Sequence, residues 1–219
     1  MDKEEKKKLE NEFKQLKRSE YDKAYDKVIN FFLVASIVVF LIPTNILSVY
    51  PILKSFTQFM AKIFPNITIY AQRSRWSEVT EFYFSYMWIV ALITIVLIIM
   101  TIPTANEKAE KYFGTGKYKH KGILNHKYLI FVPQLLSFKY FLLITAAILL
   151  SLYGIYINYT GSLIDGEISR LKFGEIISTR FGMLFIAVIF QVIIIHGLVV
   201  ILIRSILNTI HIQKIKKGE

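Results

Sequence analysis

Few residues in this sequence are placed where they could do chemistry inside an apolar setting. The stretch Met183 to Leu207, MLFIAVIFQVIIIHGLVVILIRSIL, carries Gln191 and His196 and no charge before Arg204. An ionisable group at bilayer depth is costly and marks a function by default. Proton relay or metal binding by His196 needs a second group, and no carboxylate lies in any long apolar run of the chain. The sequence has no HExxH, no GxSxG and no cysteine to pair with histidine. No catalytic, cofactor-binding or metal-ligating residue is therefore assigned, and the chain reads as non-enzymatic. On a regular helix, residues five apart diverge by about 140°. One face turned to the chain's own bundle then cannot hold both Gln191 and His196. Two interhelical hydrogen bonds, each worth about 0.6–2 kcal/mol, are the plain account. The sharper one gives one group to the bundle and the other to a subunit contact or pore. Ala147 and Ser151 form a small-xxx-small pair that lets another helix approach, so all four are expected assembly residues.

Two further patterns invite chemistry. Gly114-Thr115-Gly116-Lys117 has a superficial likeness to a phosphate loop. That loop needs glycine where Lys111 stands and Ser or Thr where Tyr118 stands, so the assignment fails. Lys117, Lys119, His120, Lys121, His126 and Lys127 make the densest uncompensated basic patch. Such a patch attracts anionic lipid headgroups at about 1 kcal/mol per residue, or lands an acidic partner. Asn66-Ile67-Thr68 and Asn158-Tyr159-Thr160 match the N-glycosylation pattern, which is frequent by chance.

The elements that must carry these residues follow from the apolar runs. Four occur, at about residues 28–50, 82–103, 138–158 and 183–207, each near the roughly 20 residues that cross a bilayer. With 54% hydrophobic residues and nearly half the chain in these runs, there is no room for a large soluble domain. The expected fold is an all-α integral membrane protein of four transmembrane helices, residues 28–207. A charged cytoplasmic helix (1–27) precedes it, with acid-first i,i+4 pairs such as Glu4–Lys8. A basic tail (208–219) follows. Between spans one and two, Ile52, Phe56, Phe59 and Ile63 recur at helical spacing after Pro51 and before Pro65. At about 13 residues this helix is too short to span and should lie in the outer interface. In the first span, Pro43 frees a backbone carbonyl that Thr44 or Asn45 could satisfy. The aromatic cluster from Phe82 to Trp88 reads as a headgroup-depth anchor. Thr104 is the expected N-cap, and Gly114 the stop, of an inner helix.

Lys and Arg number nine before the first span, seven between spans two and three and four in the tail; the other two connections hold four and three. The positive-inside rule then puts both termini in the cytoplasm. The net charge of +11 needs no nucleic-acid partner on that account. No small-x-small cleavage pattern follows the first run, so it is expected to stay as an anchor.

In outline the chain resembles two groups of small bacterial four-span proteins. One is the immunity proteins against pore-forming bacteriocins; the other is the membrane components of anti-phage systems such as Kiwa. The resemblance covers the arrangement of spans, inside termini and basic inner loop, and carries over no functional residue. It implies a bacterial inner-membrane protein. The leading expectation is a homo-oligomeric subunit that docks a soluble cytoplasmic partner through its basic inner face, in a bacterial defence system. The alternatives are an immunity protein and a small channel or transporter.

Overall fold

The computed structural model describes Glu4 and residues 20–118, 138–165 and 173–217, and every element assigned among them is helical. Among the described residues three helices are long and apolar enough to cross a membrane: Ser77–Met100, Phe141–Tyr159 and Arg180–Ile215. They correspond to the second, third and fourth apolar runs. The 36-residue Arg180–Ile215 stretch is about 54 Å long at helical rise, well beyond a roughly 30 Å hydrocarbon core. Its helix continues through Lys216, into the segment expected as a separate tail. The second run ends earlier than expected. Pro103 cannot continue the preceding ladder, so α5 (Ser77–Met100) stops and α6 (Ile102–Phe113) restarts with the proline in its first turn. Thr101, not Thr104, occupies the N-cap position, and Thr104 instead donates to the Thr101 carbonyl at 2.8 Å.

The first apolar run departs most from expectation. Helix α1 (Glu20–Ser36) tightens into a 3-10 turn, Ile37–Phe40, and helix resumes only in α2 (Ile46–Val49). Pro43 has no N–H to give the Val39 carbonyl four residues before it. That carbonyl accepts instead from Arg180 Nη1, while Nη2 donates to the Ile42 carbonyl at 2.6 Å. Neither Thr44 nor Asn45 supplies the bond. The guanidinium also lies 5.0 Å from the Trp76 ring centroid, so a cation–π contact helps hold it.

By its internal contacts the chain divides into two units. The first comprises residues 30–96 and 149–198. Here α3 (Pro51–Ile63) is the short amphipathic helix expected from the sequence, and α4 (Asn66–Arg73) follows it. Glu78 caps α2 from a distance. Its carboxylate accepts from the Leu47 N–H at 2.8 Å, the Ser48 N–H at 3.0 Å and the Ser48 hydroxyl. Ser74 ties the start of α5 to the loop at 177–178: it donates to the Ile177 carbonyl at 3.2 Å and accepts from Thr80 at 2.7 Å. Part of the aromatic cluster is core rather than anchor. Tyr83, Phe84 and Trp88 are buried, and Tyr83 donates to the Ser36 carbonyl at 3.0 Å.

In the same unit α9 (Phe173–Ile176) leads to α10 (Arg180–Ile186). Thr179 caps α10, accepting from the Gly182 N–H at 3.0 Å. A Cβ at Gly182 would fall 1.8 Å from the Ile176 carbonyl oxygen, so only glycine permits this close approach. A π-helical run, Ala187–Ile193, follows before α11 (Ile194–Lys216).

The second unit comprises the described parts of residues 1–29, 97–148 and 199–219. Helix α6 ends at Gly114, left-handed at φ 68°, as the sequence indicated. Phe113 at its end and Thr115 in the loop after it pack inward, beside His211.

Candidate functional site

The structure places both Gln191 and His196 inside the first unit, at 0% and 7% exposure. The sequence reading left one of the two for a subunit contact or pore; here both are covered by their own chain. A π turn advances fewer degrees per residue than an α turn, and the part of the run between the two residues narrows their divergence below the roughly 140° of a regular helix. Gln191 Nε2 donates to the Phe84 carbonyl at 3.5 Å, and its Oε1 meets no donor among the described residues. The His196 ring lies 6.3 Å from that of Phe32. Both side chains are therefore covered within this unit. Nothing in the sequence of span four marks the π run.

Helix α7 (Phe138–Tyr159) carries Ala147 and Ser151, both half-buried. One turn further on, Gly154 is buried, and a Cβ there would approach Ile194 Cδ1 at 2.9 Å. The small-residue stripe thus extends to Gly154, where α7 meets the Ile194 side chain of α11. Phe141, Leu142, Leu143, Leu149 and Leu150 are exposed on the rest of this helix.

The two apparent glycosylation sites have another meaning. Asn66 and Asn158 are both fully buried, which closes them to glycosylation in the folded chain. Asn66 Oδ1 accepts from Trp88 Nε1 at 3.2 Å, and Asn158 Oδ1 accepts from the Tyr70 hydroxyl at 3.0 Å. Burial pushes the Tyr70 phenol well above its ordinary pKa, so it stays neutral and donates. The Trp88 ring stacks on Phe64 at 4.1 Å, and Tyr70 meets Phe84 edge-on at 4.9 Å. Each asparagine Nδ2 lacks an acceptor among the described residues. The cluster is thus rich in donors and suits an oxygen acceptor.

A second polar cluster lies in the other unit, and the sequence reading missed it. His211 Nδ1 is 2.7 Å from Thr115 Oγ1, and its Nε2 is 3.1 Å from Asn106 Oδ1. Asn106 gives its Nδ2 to Glu110 at 3.1 Å, so its carbonyl side faces the histidine. That orientation requires Nε2–H on the neutral ring and leaves Nδ1 to accept from the threonine. The order threonine, histidine, asparagine matches a nucleophile, base and orienting group. Thr115 and His211 are completely buried, however, so the trio fastens the loop after α6 to the final helix rather than presenting a nucleophile. The phosphate-loop likeness also ends here. A Cβ at Gly116 would lie 2.9 Å from the Glu110 carboxyl carbon, and that carboxylate repels phosphate. Asn106 and Glu110 are four apart on α6, the one local signal that could have found them.

Of the basic patch, Lys117 is exposed on the 3-10 turn Gly116–Tyr118. Lys119, His120, Lys121, His126 and Lys127 lie outside the described residues. Among the described residues no three His, Asp or Glu side chains group as metal ligands. No family model matches the chain, and no curated protein or solved structure matches it.

Proposed function

We propose that this chain is a four-crossing inner-membrane subunit with both termini in the cytoplasm. It assembles with copies of itself and presents a basic inner face to a soluble partner, in a bacterial defence role. The carrying observation is the openness of the third crossing: only 11% of the apolar window of Phe141–Tyr159 is buried. A helix so little covered by its own chain has a broad face for lipid or for a second copy. The first crossing is made by α1 and its 3-10 turn. Val28 to Phe40 gives roughly 21 Å of largely apolar helix, short of the hydrocarbon core, and local thinning or a snorkelling Lys27 makes up the difference. The distribution of Lys and Arg supports the orientation, with twenty on the inner side and seven on the outer. Purification from membranes in gentle detergent, followed by native mass spectrometry, tests the reading. The expected species is a multiple of the 25.5 kDa chain that carries a soluble protein. Recovery of bare monomer overturns it.

One observation favours a second reading, an immunity protein that blocks pore-forming helices within the bilayer. An apolar groove of about 940 Å³ runs along the first unit between Leu33 and Ile37 and the row Phe181, Phe185 and Val188. On that reading the determinants lie in the crossings, and deleting residues 2–20 leaves protection intact.

A further inference from the structure

Three helices of the first unit converge on a polar pocket of about 480 Å³, within the ordinary range of small-ligand sites. Each helix contributes one i,i+4 pair to its wall: Gln58 and Lys62 from α3, Thr68 and Gln72 from α4, Ser77 and Glu81 from α5. Residues four apart share a helix face, so six polar side chains point into one space. Ala61 and Ala71, also on the wall, keep that space open with their small side chains.

The pocket carries one charge of each sign, and among the described residues neither Lys62 nor Glu81 has an ion-pair partner. Two opposite charges facing one cavity without pairing leave both available to a ligand that carries the matching charges. The carboxylate is already positioned, because Glu81 Oε1 accepts from the buried Thr57 hydroxyl at 2.7 Å and Oε2 stays available. Lys62 is exposed and can follow an anion. Two carboxamides and two hydroxyls supply both donors and acceptors between them. The depth is also informative. Ser77 and Glu81 lie at the first turns of a 24-residue crossing, and α3 exposes Ile52, Phe59 and Ile63, the apolar side of an interfacial helix. The pocket therefore opens at headgroup level.

We infer that this pocket binds an ammonium–phosphodiester zwitterion, with the ammonium on Glu81 and the phosphate on Lys62. The chemistry has two sources, the headgroup of phosphatidylethanolamine and soluble glycerophosphoethanolamine. The test uses the full chain in nanodiscs. In discs of equal phosphatidylethanolamine and phosphatidylglycerol, native mass spectrometry reads the lipid retained. Enrichment of the ethanolamine lipid of about tenfold is expected, the worth of one charge-assisted hydrogen bond. Glu81→Gln, which keeps the acceptor for Thr57, and Lys62→Gln each return retention to the bulk ratio. In discs of phosphatidylglycerol alone, glycerophosphoethanolamine is titrated in by calorimetry. Saturable binding there, lost in both variants and without lipid enrichment, assigns the site to the soluble molecule. A further measurement uses the unaltered chain with phosphatidylcholine, whose methylated ammonium has no N–H for Glu81. Equal retention of all three lipids together with no calorimetric binding overturns the inference. So does binding that survives both substitutions.

Discussion

At the residue scale, two glycines of the Arg180–Ile215 helix separate packing from flexibility. A methyl at Gly182 meets the Ile176 carbonyl oxygen at 1.8 Å, whereas a Cβ at Gly197 finds nothing within 4 Å. Gly182→Ala is expected to destabilise the chain by more than about 3 kcal/mol, because backbone must move. Gly197→Ala should be neutral or stabilising by about 0.5–1 kcal/mol, since it removes helical glycine entropy. Thermal unfolding in the same detergent compares them directly, and equal midpoints would remove the packing argument. Arg180 is the second case. Its guanidinium serves the carbonyl that Pro43 leaves open, so Arg180→Leu should cost about 1.5–3 kcal/mol. Arg180→Lys should recover only part, because an ammonium lacks the fork that reaches two carbonyls. The same midpoint shift measures both. Thr115→Val strips the buried donor from His211 Nδ1 and should lower stability by about 1–3 kcal/mol. Histidine NMR would then show a changed environment at His211 while His196 keeps its own.

At the element scale, the π run decides what the last crossing does with its polar groups. Periodicity alone separates Gln191 from His196, and the reading of an assembly helix rested on that separation. Both are covered by their own unit, so His196→Leu should leave the proposed oligomer unchanged on native gels. Leu143→Gln or Leu150→Gln, on the exposed face of α7, should weaken it. A change produced by His196→Leu alone would return the assembly role to the final helix. The length and apolar character of the second, third and fourth runs were legible in the sequence, because composition along twenty residues suffices for them. So were the short amphipathic helix between its two prolines and the stop at Gly114. The break in the first run was only half legible. Pro43 announces a freed carbonyl, but the residue that satisfies it is 141 positions away from Val39.

At the scale of the whole molecule, the absence of native cysteine makes orientation directly measurable. Lys62→Cys and Lys117→Cys each create a single thiol at an exposed position. The proposed topology expects an impermeant maleimide to label Lys62→Cys from outside intact cells, and Lys117→Cys only after permeabilisation. Labelling of both from the same side would overturn the four-crossing arrangement. By itself the sequence determined the three helices long and apolar enough to cross a membrane and the charge asymmetry, because these depend on composition summed along a segment. Only the tertiary structure decided which polar groups meet. Arg180 reaches the carbonyls around Pro43, Asn66 and Asn158 share one aromatic cluster, and His211 closes on Thr115. Each pairing joins residues distant in the chain, and its physical basis is the cost of leaving a polar group unpaired where water is absent. That cost demands a partner without naming one, and the fold supplies the name.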